Sequence, residues 1–386
     1  MVATPPQSYA DNLRLIRELS GARCLVTGHT GFKGAWLCQW LATLGAEVTG
    51  YSLPELVSQP ALFDLARVFE LVADRRGDLQ DAAALTAALA EATPEVVFHL
   101  AAQPLVRRSH DEPKYTMDVN VGGTVNLLEA ARRCGSVRAV VVITSDKCYE
   151  NFNTGRAFEE GDPLGGEDPY SASKACAELV AASYRASFFA PAGVGLATAR
   201  AGNVVGGGDW AEDRLVPDAV RALDRSAAVG VRNPVHVRPW QHVLEPLFGY
   251  LVLGAGLLRA ARGGDAGAQA ALAGAWNFGP HASSCRPVRE VVETLIQNNG
   301  DGSWEDLSAA DAPLEARHLS LSWERARRQL GWAPRWDFEQ TFARTAGWYR
   351  ALRQGGDARA LCEADLAAYQ RYEAQQAEGA EHGTLG

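Results

Sequence analysis

The stretch Arg23-Cys24-Leu25-Val26-Thr27-Gly28-His29-Thr30-Gly31-Phe32-Lys33-Gly34 decides the fold. Arg23–Thr27 is a short, mostly apolar run that reads as a strand. Over Phe32–Leu44 apolar residues recur near 3.6 spacing, which reads as a helix. The glycines between them allow a tight turn and close approach of backbone to a pyrophosphate, at a helix N-terminus that favours negative charge. Three glycines at these offsets are a weak signal in a chain with 38 of them. The strand before and the helix after give the pattern its meaning.

Further strands follow at Ala46–Ser52, in a shorter piece ending near Asp78, and at Glu95–Leu100, Arg138–Thr144 and Val194–Arg200. Continuous apolar runs such as EVVFHL and RAVVVIT suit strands covered on both faces, hence a parallel sheet between helices. Helices are expected at Lys114–Arg133 and from Tyr170 to about Phe189. The fold class is therefore α/β, a doubly wound parallel sheet of Rossmann type, with a smaller C-terminal mixed α/β lobe for substrate. The division expected is 1–202 for the dinucleotide domain and 203–376 for the lobe, with segments near 240–262 returning to the first domain and 377–386 a tail. In the lobe, Gly202–Arg214 reads as loop, Leu215–Asp224, Val288–Gln297, Trp323–Leu330 and Phe338–Leu352 as helices, and Val235–Val237 and Trp276–Phe278 as short extended pieces.

Composition narrows the class. The chain has 386 residues, 47% hydrophobic and 22% charged, with a net charge of −9. It can bury a large core and presents no overall basic character for nucleic acid or anionic lipid. The N-terminus shows no basic region followed by an apolar run, so no signal peptide is expected. The longest apolar stretch, Leu247–Ala261, is broken by three glycines and falls short of a span of roughly 18–20 residues. Seven scattered cysteines without a C-x-x-C pair point to a reduced, cytoplasmic protein without a disulfide framework, and the histidines show no metal-ligand spacing. There are 33 arginines but only four lysines, Lys33, Lys114, Lys147 and Lys174. Where lysine persists in such a chain, an ammonium rather than a guanidinium is a candidate requirement.

Tyr170-Ser171-Ala172-Ser173-Lys174 puts a phenol and an ammonium on one helical face. A tyrosine of ordinary pKa, about 10, becomes a useful base only where positive charge stabilises its phenolate. Thr144-Ser145-Asp146-Lys147 follows a strand at its carboxyl end, where open α/β sheets place their chemistry. Hydroxyl, carboxylic acid and ammonium side by side can hydrogen-bond, protonate and polarise one small substrate. Asp78 reads either as a contact to an adenine amino group or as a turn-forming aspartate. The second strand ends Tyr51-Ser52-Leu53-Pro54, with neither acid nor arginine to choose between NAD and NADP. His29 is placed to crowd the pyrophosphate, His99 reads as a core histidine, and Arg107 and Arg108 read as a solvated pair.

At GHTGFKG, HLAAQPLVRRS, TSDKCYEN, PYSASKACAE, RAGNVVGGGDW and NPVHVRPWQHVLEPL the chain resembles the extended short-chain dehydrogenase/reductases. Within them it is similar to the nucleotide-sugar 4,6-dehydratases of the CDP-sugar branch, from about Gly21 to Tyr372. The glycine loop and the Tyr-Lys pair are generic to the superfamily, and the DKCYEN, GGGDW and RPWQHVLEPL strings narrow the likeness. The resemblance implies bound NAD, with Gly28, Thr30, Gly31, Phe32, Gly34, Asp78, Leu79, Leu100, Ala101, Ala102, Tyr170 and Lys174 around it. It implies a nucleotide-sugar held by Gln103, Asn203, Arg214, Arg238 and Arg317. Tyr170, kept as phenolate by Lys174, would take the 4-hydroxyl proton while hydride passes to NAD, with Ser145 bonded to the same hydroxyl. Asp146 would protonate the 6-hydroxyl as water leaves, and hydride would return to C6. Related dehydratases acting on dTDP-sugars have Glu where Lys147 stands. A lysine there must be neutral to remove the C5 proton, or charged to polarise the C4 ketone. The resemblance also implies a homodimer through the helices at about 114–133 and 170–189. A related epimerase, a dehydratase for another nucleotide, and a non-catalytic NAD-binding regulator are the alternatives.

Overall fold

The computed structural model describes residues 8–308 and 318–381. Strand β1 (Arg23–Thr27) enters the glycine turn and the chain leaves it as the helix Phe32–Thr43. Five further strands follow: β2 (Glu47–Ser52), β3 (Ala73–Arg76), β4 (Val96–His99), β5 (Ala139–Ile143) and β6 (Gly195–Ala201). Together with a later strand, β10 (Gly274–Phe278), they form a seven-stranded sheet in the order β10-β6-β5-β4-β1-β2-β3. Neighbouring strands all run parallel. The residues of β4, β5 and β6 are buried throughout, because helices cover both faces and no strand position meets water. The order reverses on either side of β1, which opens a crevice at the carboxyl ends of β1 and β4.

The helix Leu244–Arg262 lies against β4, β5 and β6. It is long and apolar enough to cross a membrane by length and composition, further than its broken apolar run suggested, yet nearly all of it is buried in this core. Gly254 lets it approach the sheet: a Cβ there would stand 2.6 Å from the ring of Phe98. The second lobe interleaves with the first. The brief strand expected in the lobe at Trp276–Phe278 begins at Gly274 and is the edge of the large sheet beside β6. The final helix, Ala358–Glu381, also packs on Phe32–Thr43, with Tyr369 edge-on to Trp40 at 5.7 Å. The tail expected from 377 is helical to Glu381, and 382–386 lie outside the described residues.

The lobe itself has a three-stranded sheet, β11-β9-β7, built from β7 (Asn203–Val205), β9 (Val237–His242) and β11 (Cys285–Pro287). A two-stranded pair joins β8 (Val229–Val231) to β12 (Trp304–Asp306). The loop read at Gly202–Arg214 thus begins as a strand, and of the extended piece expected at Val235–Val237 only Val237 is strand, opening β9, which runs to His242. Two helices read as continuous contain π-helical segments, Asp118–Gly122 and Arg185–Phe189. In the first, Asn120 is the reason to deviate. Its amide donates to Ser173 Oγ at 2.9 Å and to the Gln103 carbonyl at 3.1 Å, and its oxygen accepts from the Gln103 N–H at 2.8 Å.

Candidate active site

One cleft of about 1320 Å³ runs along the carboxyl ends of the sheet and under the second lobe. At its floor, Gly28 adopts φ +73° and packs so tightly that a Cβ would stand 2.7 Å from the Ala101 nitrogen. A Cβ on Gly34 would stand 2.1 Å from the Gly28 carbonyl oxygen. Gly31 caps the following helix without a side-chain hydrogen bond, so the first-turn N–H groups are open to a ligand. Thr30 and Phe32 line the cleft with these glycines, as do Asp78 and Leu79 after β3 and Leu100, Ala101 and Ala102 after β4. A glycine floor with uncapped amides and an acid at its far end fits a dinucleotide such as NAD. Asp78 also accepts from the Gln80 N–H at 2.9 Å, so it shapes its own turn as well.

His29 corrects the expectation that it crowds this floor. Its ring is turned into the protein, with Nδ1 2.9 Å from Ser52 Oγ and Nε2 2.9 Å from Asp74. Burial pulls its pKa down, against the pull of Asp74. His99 is held between the hydroxyls of Thr27, at 2.7 Å, and Thr124, at 3.2 Å.

The chemical groups gather where β5 ends. Ser145 donates to Asp146 Oδ1 at 3.1 Å and accepts from the Lys147 N–H at 3.2 Å. Tyr170 enters from the helix Pro169–Tyr184 and lines the same cleft as Ser145. One turn on, Lys174 Nζ donates to the Ile143 carbonyl at 3.4 Å. Burial pushes the Tyr170 phenol up to about 12, opposed by the Ser145 hydroxyl and by Arg214. Burial pulls Lys174 down to about 8, opposed chiefly by Glu178. Asp146 is raised by burial, against the pull of Lys147, Ser145 and Arg238, so it holds a proton more readily than an exposed aspartate. Lys147 lines the cleft beside it.

Across the cleft stand Asn203 on β7, Arg214 before the helix Leu215–Asp224, and Arg238 on β9. Arg214 pairs with buried Asp209 at 3.0 Å. Arg238 is buried and donates to the Val237 carbonyl at 2.9 Å. Gln103 departs from expectation, for it does not line the cleft. Its amide donates to Thr116 Oγ1 at 2.9 Å and the Leu105 carbonyl at 3.0 Å, and its oxygen accepts from the Leu105 N–H at 2.6 Å, so it braces the loop. Arg317 lies outside the described residues.

A parallel sheet with a glycine turn, a phenol and ammonium on one helix, and a hydroxyl and acid at a strand end is the layout of a nicotinamide-dependent sugar-nucleotide enzyme. The model of the GDP-mannose 4,6 dehydratase family matches residues 25–249. The CDP-glucose 4,6-dehydratase of Salmonella typhimurium strain LT2 is 46% identical over 342 residues, covering 87% of this chain and 93% of that one.

The chain belongs to the nucleotide-sugar 4,6-dehydratase family.

A dTDP-glucose 4,6-dehydratase of Streptomyces antibioticus is 32% identical, covering 85% of this chain and 92% of the relative. The structure of the dTDP-glucose 4,6-dehydratase from Streptomyces venezuelae, with NAD and TYD bound, superposes with a TM-score of 0.71 at 26% identity, covering 87% of this chain and 99% of that one.

Several residues in the cleft and behind it escaped sequence reasoning. Arg107, read as solvated, pairs with Asp213 at 3.1 Å, and Arg232 reaches the same carboxylate at 2.9 Å, joining the two lobes. Glu178 lies one helical turn beyond Lys174 and accepts from Thr144 at 2.5 Å, Thr198 at 2.7 Å and Arg200 at 2.7 Å. It thereby fixes the residue preceding Ser145. An i, i+4 step from Lys174 was the available signal. Lys33 also lines the cleft, and lysine scarcity was the clue to it.

Proposed function

We propose that the protein converts CDP-D-glucose to CDP-4-keto-6-deoxy-D-glucose and water as an NAD-dependent CDP-glucose 4,6-dehydratase. The observation that carries this reading is Asp146, a buried acid that accepts a hydrogen bond from Ser145 in the cleft lined by Tyr170, with burial raising its pKa. Simple epimerisation at C4 needs no such acid. The choice of CDP-glucose follows the 46% identical relative.

The chemistry NAD supplies when bound is reversible acceptance of hydride. Tyr170 removes the 4-hydroxyl proton, and Lys174 one turn away lowers the cost of its phenolate. Ser145 orients that hydroxyl. Once C4 is a ketone the C5 proton is acidified, and Asp146 hands its proton to the departing 6-hydroxyl. Lys147, which lines the cleft beside Asp146, acts at C5 as a neutral base or at the ketone as a cation in this reading. Arg214 and Arg238 offer guanidinium forks to the diphosphate, with Asn203 between the lobes. A cytoplasmic homodimer is the state we propose, in keeping with seven free cysteines, with exposed Leu179 on the helix that carries Tyr170 and with exposed Phe188 on the π-helical segment that follows it.

Incubation with CDP-, dTDP-, UDP- and GDP-glucose, with and without NAD, tests the assignment by mass spectrometry. Loss of one water from CDP-glucose alone is the expected result. Loss from another nucleotide-sugar alone overturns the CDP assignment, and a C4 epimer without water loss overturns the dehydratase.

A further inference from the structure

Of the four lysines in this arginine-rich chain, Lys114 is a surface residue ion-paired with Asp118. The other three, Lys33, Lys147 and Lys174, all line the one cleft. Lys147 and Lys174 belong to the chemistry already described, and Lys33 has no part in it. Lys33 is the second residue of the helix that follows the glycine turn, so its stem rises from the place where a bound diphosphate meets the first-turn N–H groups.

Four charged groups face it from three other elements. Arg214 and Asp209 come from the second lobe, Lys174 from the helix carrying Tyr170, and Asp146 from the turn after β5. Each carboxylate is already engaged, Asp209 with Arg214 at 3.0 Å and Asp146 with the Ser145 hydroxyl at 3.1 Å. Lys147 and Arg238 also stand near Asp146. Neither acid is therefore a dedicated counterion for Lys33. Desolvation, followed by the repulsion of Arg214 and Lys174, pulls its ammonium down to about 7. An arginine here would stay charged at every physiological pH, whereas a lysine gives up its proton until negative charge arrives.

We propose that Lys33 couples the arrival of a diphosphate group in this cleft to the uptake of one proton. The proton passes from a buffer acid to Nζ, and no bond to the ligand forms. The proposal rests on the reading of the cleft as a site for a dinucleotide and a nucleotide-sugar, both of which carry a diphosphate. Below about pH 6 Lys33 is already charged and uptake vanishes. Near pH 8 it is mostly neutral in the ligand-free protein and charged in the complex.

Calorimetric titration of the full chain with NAD, and separately with CDP-glucose, in buffers of different ionisation enthalpy counts the protons. The wild type takes up close to one proton per ligand at pH 8 and almost none at pH 6. Its affinity drops by up to about tenfold per pH unit above pH 8. Lys33→Arg and Lys33→Met retain binding but take up less than half as many protons, and the Arg variant loses the pH dependence. The arm in which the variants differ from wild type identifies which diphosphate Lys33 meets. Binding with unaltered uptake in both variants overturns the proposal alone, because the protons then go elsewhere, such as Lys174. Absence of binding in both arms overturns the reading of the cleft together with it.

Discussion

Ser145 donates its hydroxyl proton to Oδ1 of Asp146 across 3.1 Å, and Oδ2 of the same carboxyl has no hydrogen-bond partner among the described residues. A buried carboxyl with one oxygen fixed and one unpartnered is oriented to pass a proton in a single direction. Gly202 keeps that space clear, since a Cβ there would stand 2.9 Å from Oδ2.

Asp146→Asn keeps the shape and removes the proton. Water loss should fall by about 10²–10⁴-fold, while oxidation at C4 survives and is seen as reduced-nicotinamide absorbance after mixing with substrate. Equal loss of both steps, with substrate binding intact, contradicts the assignment of Asp146 to the 6-hydroxyl.

The glycine floor is steric as well as conformational. Gly34→Ala drives a methyl against the Gly28 carbonyl, where the available separation is 2.1 Å. It should cost about 1–3 kcal/mol of stability and weaken NAD binding at least tenfold, measured by denaturant unfolding and by titration. Gly347→Ala, in a helix where a Cβ meets nothing within 4 Å, is the comparison and should be neutral or stabilising. Similar behaviour of the two variants contradicts the packing argument.

Glu245 joins the helix under the sheet to the C-terminal segments. It accepts from the N–H groups of Arg335 at 3.1 Å and Trp336 at 2.8 Å and from the Tyr369 hydroxyl at 2.8 Å. Burial pushes its pKa from 4.5 up to about 7, opposed by these bonds. Between those values the native state holds a proton that the unfolded chain has released. The stability it contributes is therefore complete below about pH 4.5 and is lost as pH rises through about 7. Relative to Glu245→Gln, which cannot ionise, wild-type stability should fall by on the order of 3 kcal/mol from pH 4.5 to 8. Parallel unfolding curves for the two proteins over that range contradict it.

The parallel sheet was legible because its strands are continuous apolar runs, and Arg23–Thr27 and Leu215–Asp224 fall where periodicity places them. Periodicity is blind to the events that shape the site. The extended piece was expected only at Val235–Val237, yet β9 runs past Pro239 because Trp240, Gln241 and His242 find partners in β7. Asn120 bends a regular helix into a π turn for contacts with Gln103 and Ser173, which are distant in sequence. Gln103 follows a site strand and looked like a ligand residue, but its local amide bonds use up its polar atoms. The Tyr170–Lys174 pair was visible from spacing. That it shares a cleft with Ser145 was not, because that depends on how β5 and a later helix meet.

The most direct test of the account is the fate of deuterium placed at C4 of CDP-glucose. Internal return predicts a CDP-4-keto-6-deoxy product that keeps the label at C6, with NAD unchanged overall. An unlabelled product, or a label remaining at C4 of an epimer, would contradict the dehydratase assignment for this site.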